Sequence, residues 1–319
     1  MKINTCPKPK PKKVFLSLFA VSLLSLVFAL KKTRAQTTFV SYTISPPTLQ
    51  FTLKPGEKTE KILKITNHTT NTLEFVTTTV DFVVNDKAGT PELLPVGTLK
   101  DNRFAASSWS TVLPDTITVE PGKTATTTLY LQVPGDARPG GRYFAVTFRP
   151  LNAGVLDQSG AMVNPVTGSL VYLTVAGQMK EKAEVTQFKV PSFSEYGPIK
   201  FMTEIKNTGD VHINPKATIE VKNLFGKTVF TSALANLNIF PGTSRVYENS
   251  WEEKILFGKY NAKLSGYYGT NGNLPLTAIA TFWVIPYKLI AIAVLTIAII
   301  LLLIFGFRKK EKSQEEEEK

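Results

Sequence analysis

Between residues 36 and 286 the chain changes from apolar to polar at every second position, in one run after another. Ala125, Thr127, Leu129, Leu131 and Val133 fall on one side of such a run, with Thr126, Thr128, Tyr130 and Gln132 on the other. Ile199, Phe201, Thr203 and Ile205 alternate with Lys200, Met202, Glu204 and Lys206. Shorter runs do the same at Phe144, Val146 and Phe148, at Ala217, Ile219 and Val221, and at Tyr260, Ala262 and Leu264. A period of two puts successive side chains on opposite faces of a strand, whereas the helical period of 3.6 is almost absent here. Each run therefore predicts a strand with one face buried and one wet, and such strands pack as antiparallel sheets face to face.

Turn residues punctuate the runs. Pro55-Gly56, Pro121-Gly122 and Pro241-Gly242 each stand just before an alternating stretch. Proline presets the first turn angle and glycine supplies the positive one, so the pair reverses the chain immediately before a strand. "ITNHT" at 65–69 and "IKNTG" at 205–209 end a strand on an asparagine, and a Pro-Gly strand follows each of them later. This weak internal repeat predicts two domains on one plan, at 38–177 and 181–286, with the polar stretch "AGQMKEKAE" as the join. The surplus length of the first falls in residues 85–109, rich in glycine and proline, where long loops are functional or mobile. Residues 150–169 predict a hairpin excursion.

Both ends of the chain break the pattern. Residues 14–30, "VFLSLFAVSLLSLVFAL", carry no charge and follow five lysines, the layout of an export signal over 1–35. Cleavage would fall between Ala35 and Gln36; with lysines on both sides the segment alternatively stays as an uncleaved anchor. Residues 289–307, "LIAIAVLTIAIILLLIFGF", are also uncharged, and at ~1.5 Å per residue they cover about 28 Å, close to the ~30 Å hydrocarbon core of a bilayer. Arg308, Lys309 and Lys310 follow, which places the tail 308–319 in the cytoplasm and the strands outside. The expected architecture is all-β: two tandem immunoglobulin-like β-sandwich domains plus one C-terminal transmembrane helix.

This topology disposes of the net charge. Of the formal +12, the first 34 residues supply +8 and the tail is neutral, leaving +4 for residues 35–307. So small a charge over so long a stretch is no footprint for phosphates, and no nucleic-acid partner is expected. The one cysteine, Cys6, lies before the apolar run, so the exported part has neither disulfides nor thiol chemistry.

Candidate chemistry is sparse. His68 and His212 stand beside turn residues with no nucleophile motif, and both read as surface histidines. The aspartates at 81, 86, 101, 115, 136 and 210 are scattered singly, without a calcium loop, and no phosphate loop follows a strand. No catalysis, cofactor, metal or small-molecule substrate is expected. Trp251, Tyr267 and Tyr268 read as core or corner residues of a sandwich. Arg138, Arg142, Tyr143 and Trp109 are the candidate ligand-binding residues, a cationic and aromatic set suited to an anionic wall polymer. Asn67-His68-Thr69 fits the acceptor pattern for asparagine glycosylation.

The stretches "SPPTLQFTLKPGEKTEKILKITNHTTNTLEF" and "SSWSTVLPDTITVEPGKTATTTLYLQVPGDARPGGRYFAVTF" resemble the first domain of bacterial WxL-interacting cell-surface proteins. "KFMTEIKNTGDVHINPKATIEVKNLFGKTVF" and "NIFPGTSRVYENSWEEKILFGKYNAKLSGYYG" are similar to their second domain, and the terminal span with its basic tail matches their layout. The resemblance implies a membrane-anchored binding protein that attaches to peptidoglycan or to other cell-surface proteins, in an adhesion or scaffold role. It marks no individual binding residues. The same turn grammar also resembles the first domain of periplasmic pilus chaperones, which implies the alternative: a protein that donates an edge strand to exported subunits.

Overall fold

The three Pro-Gly pairs do what their chemistry dictates. Gly56, Gly122 and Gly242 sit at φ of 81°, 66° and 78°, the left-handed region that glycine enters without steric cost, and each turn opens a strand. The computed structural model describes residues 41–95, 102–151, 155–156, 162–163 and 166–317. The export segment, Cys6 and the cleavage position at Ala35 and Gln36 lie outside the described residues.

The first sandwich is built from β1 (Tyr42–Ser45), β2 (Thr48–Leu53), β3 (Lys58–Asn67), β4 (Leu73–Val84), β5 (Pro91–Leu93), β6 (Ser110–Leu113), β7 (Thr116–Val119), β8 (Thr124–Gln132), β9 (Gly140–Pro150) and β12 (Thr167–Val175); β10 (Val155–Leu156) and β11 (Met162–Val163) form a separate small hairpin. One sheet runs β1-β3-β8-β6, and the other runs β2-β12-β9-β4-β5 with β7 also on β4. Leu63, Ile65, Leu129, Phe144 and Phe148 are wholly buried between them, on the faces that the alternation predicts.

The second sandwich comprises β13 (Ala183–Lys189), β14 (Phe193–Ser194), β15 (Ile199–Asn207), β16 (Lys216–Asn223), β17 (Thr228–Ala233), β18 (Ser244–Trp251), β19 (Gly258–Tyr268) and β20 (Leu274–Val284). Its sheets run β13-β15-β18 and β14-β20-β19-β16-β17, over a core that includes Ile199, Phe201, Leu264 and Phe282. Trp251 and Tyr268 belong to that core, while Tyr267 is exposed.

The repeated asparagines explain the repeat. Asn67 is fully buried; its amide donates to the carbonyls of Asn71 at 2.7 Å and Val119 at 2.9 Å, and its Oδ1 accepts from the Thr69 N–H. Asn207 is also fully buried and repeats the arrangement with Val211 at 2.8 Å, Ile239 at 2.9 Å and the Gly209 N–H. Each asparagine thus staples its own turn to the segment that enters the next Pro-Gly turn. The glycosylation reading of Asn67 is corrected by this burial, because its amide nitrogen is already spent inside the core.

After β20 only Ile285 and Pro286 precede α1 (Tyr287–Glu317). Its segment Tyr287–Phe305 has a mean hydropathy of 3.0, and none of it is buried against the protein. A core helix would hide its apolar surface. This one is long and apolar enough to cross a membrane.

Candidate functional site at the junction of the sandwiches

Strand β9 breaks the one-sided rule: along its length every residue but Arg149 is buried. Phe144, Val146 and Phe148 face the core of the first sandwich, while Tyr143 and Ala145 face outward into a second apolar cluster with Phe82, Val84 and Tyr172. The partner that covers this outer face is Phe240 of the second sandwich. Its ring meets Tyr143 edge-on at 4.9 Å, Tyr172 at 5.5 Å and Phe82 at 5.8 Å, so a single knob fills a hole of three rings.

Polar contacts ring that knob. The Tyr143 hydroxyl accepts from the backbone N–H of His212 at 2.7 Å and lies 3.3 Å from His212 Nδ1, within hydrogen-bond reach. Burial pushes the Tyr143 phenol above its ordinary range and holds His212 down to about 4, so the imidazole is neutral. Outside them lie two ion pairs, Arg103 to Asp210 at 2.8 Å and Lys87 to Glu204 at 2.9 Å. The Gly141 N–H adds a backbone bond to the Asp210 carbonyl at 2.8 Å. Lys87 and Arg103 both come from the long stretch 85–109. Asp81 fixes that stretch by accepting from the N–H groups of Ala106 and Ser107 and from the Ser107 hydroxyl.

Beside the junction opens a cleft of about 850 Å³. Its floor is β2 and β12, through Gln50, Thr52, Tyr172 and Thr174; its far wall includes His212 and Asn214. Lys216 and Glu181 are the lining residues that carry charge, so the cleft is close to neutral and rich in amides and hydroxyls. Among the described residues β2 is the edge of its sheet, paired in parallel with β12 and with no strand on its other side. The Leu170 N–H donates to Pro47 and the Ala176 N–H to Leu53, which turns Leu49, Phe51 and Leu53 toward β12. In a parallel ladder the intervening residues point the other way, so Thr48, Gln50 and Thr52 offer their N–H and C=O groups outward.

The four candidate ligand-binding residues do not meet in the cleft. Arg142 is buried, its guanidinium bonded to the Gly141 and Arg138 carbonyls and lying 5.4 Å over the Trp109 ring. Burial and the nearby Arg103 lower its pKa. Trp109 is half-buried, Arg138 is exposed, and Tyr143 belongs to the junction on the opposite face of β9. Phe240 and Tyr172 went unnoticed in the sequence, and the reading of His212 as a surface histidine is corrected, since the docking of the sandwiches covers it. The one available signal was the nearly unbroken apolar run around Phe144, which marks a strand covered on both faces.

No family model and no curated protein matches this chain. Solved structures of fimbrial chaperones are similar to it over almost their whole length. The class 5 fimbriae chaperone CfaA shows 14% identity and a TM-score of 0.38 over 75% of this chain and 98% of its own. The CupB2 chaperone of Pseudomonas aeruginosa shows 9% and 0.37 over 76% and 100%. The Salmonella enterica SafA pilin in complex with the SafB chaperone gives 9% and 0.36 over 76% and 98%. At these values the likeness is one of fold. The leading functional expectation, attachment to peptidoglycan in an adhesion or scaffold role, is corrected by the site itself: the cationic and aromatic set meant for a wall polymer is split between a buried brace, Arg142 against Trp109, and the junction that holds Tyr143.

Proposed function

We propose that the chain is a membrane-held, non-catalytic protein that captures an extended segment of an exported partner protein by strand addition along β2. The helix α1 crosses the bilayer, the basic residues 308–310 hold its end in the cytoplasm, and the sandwiches stand outside. One observation carries the reading: an uncharged six-residue edge, "TLQFTL", lines a neutral cleft, and its outward backbone groups meet no strand among the described residues. Sheet edges are ordinarily blunted by charge, proline, brevity or a bulge. Here β5 is short and contains Pro91 and Glu92, and β13 carries Glu184, Lys189 and a bulge; β2 has none of these. An added strand would gain main-chain hydrogen bonds at Thr48, Gln50 and Thr52, and every second side chain would meet the cleft wall.

The test uses the full chain in detergent and extended peptides selected by display against it. Gln50→Pro removes an outward N–H while leaving the bonds to β12 in place, because Gln50 makes none of them. Selected peptides should bind the variant at least about tenfold more weakly, the loss of roughly one charge-free hydrogen bond and a misfit. Equal binding to both proteins overturns the reading.

A further inference from the structure

The end of the second sandwich nearest α1 is unusually apolar. Register places three loops there. Gly258 pairs with Val284, the last residue of β20, and Asn223 pairs with Tyr260, so the β16–β17 hairpin tip at Leu224 and Phe225 reaches the level of Val284. The loop from β18 to β19 enters the same end through Ile255 and Phe257. The loop after β14 joins them, because β14 pairs with Trp283 and Val284 and the Gly197 N–H donates to the Lys254 carbonyl. Phe225 is 90% exposed, Ile255 86%, Phe257 69% and Leu224 68%. Large side chains this bare, gathered on one end, mark a surface that something covers.

The connection to α1 says what covers it. The two linking residues are strapped down: the Ile285 N–H donates to Ser194 at 3.0 Å, the Tyr287 N–H to Ile285 at 2.8 Å, and Lys288 pairs with Glu195 at 2.9 Å. Tyr287 also lies against Phe193, ring centroids 6.2 Å apart. From Val284 to Leu289, where the apolar run begins, the chain drops at most about 13 Å, and less because this turn is folded. The polar layer of each leaflet is about 5–8 Å deep. No partner protein fits between this end and a bilayer that α1 enters, whereas apolar loop tips at that height meet the headgroups directly. Trp283, with Lys259 at 5.9 Å over its ring, faces outward at the same level, as an interfacial aromatic does.

We infer that the second sandwich is seated on the outer leaflet, with Leu224, Phe225, Ile255 and Phe257 inserted among the lipid headgroups; this rests on the reading of α1 as a span. The flanking charges nearly cancel, Lys222, Lys227, Lys254 and Lys259 against Glu220, Glu252 and Glu253, with Lys288 and Glu195 paired to each other. Seating is therefore driven by apolar contact, and neutral phosphatidylcholine suffices. It also fixes the cleft at a set height, because Thr270 in its lining lies at the opposite end of β19 and β20.

The experiment reconstitutes the full chain, with Cys6→Ser, into phosphatidylcholine vesicles that carry a shallow brominated quencher. Single cysteines at Phe225→Cys, Ile255→Cys and the distal control Asn271→Cys bear a fluorophore. Quenching at the first two sites should exceed that at the control at least threefold and persist in high salt. A chain that floats with the vesicles but shows equal quenching at all three sites overturns the seating and leaves the span intact. A chain that does not float overturns both.

Discussion

His212 donates its backbone N–H to the hydroxyl of Tyr143 at 2.7 Å, across the boundary between the two sandwiches. The imidazole beside that bond is packed against the rings of Tyr143 and Tyr172, at 5.6 and 5.4 Å, and burial holds its pKa down to about 4. In the unfolded chain a histidine titrates near 6.5, so between pH 6.5 and 4 the unfolded state binds a proton that the folded state refuses. Stability is whole above pH 6.5 and falls as the pH drops toward 4, by about 3 kcal/mol at most. Urea midpoints taken across that window should show the slope, and His212→Gln should flatten it.

Tyr143→Phe should loosen the junction without unfolding either sandwich. The ring and its contacts with Phe240 remain, but the buried His212 N–H loses its acceptor, at a cost of about 1–3 kcal/mol. Hydrogen exchange is the direct readout: the His212 amide should exchange at least about tenfold faster, while Phe144 on the inner face of β9 keeps its protection.

The asparagine staples predict matched losses. Asn67→Ala and Asn207→Ala each strip two buried carbonyls of their donor and free one turn, which amounts to about 2–4 kcal/mol apiece. Denaturant titration of the full chain should report the first loss in the first sandwich and the second in the second. A drop below about 1 kcal/mol at either site would refute the staple role.

The contrast between staple and junction shows what a sequence reveals. Alternation at Leu129 and Leu131, or at Ile199 and Phe201, is a local signal, and those residues sit on the faces it predicts. The all-β class and the apolar terminal helix were legible for the same reason. Phe240, Tyr172 and His212 meet only because two sandwiches dock, and contacts at such separations leave no period to read. His212 looked like a surface turn residue, as His68 is, yet the docking half-buries it. Arg142 and Tyr143 drew notice by their chemistry, but adjacent strand residues point to opposite faces, so they serve different structures.

The last prediction separates two accounts of what holds the sandwiches together. Lys87 and Arg103 are each more than half exposed in their ion pairs with Glu204 and Asp210. Such pairs are worth about 0–1 kcal/mol each and are screened within ~3 Å at 1 M salt. Phe240 instead fills a closed hole among Phe82, Tyr143 and Tyr172, and truncating a buried phenylalanine removes about 3–5 kcal/mol. The distance distribution between spin labels at Thr111→Cys and Thr231→Cys, in a Cys6→Ser background, should therefore stay narrow in high salt and broaden in Phe240→Ala. If salt broadens it and Phe240→Ala does not, the ion pairs set the orientation and the aromatic knob is filler.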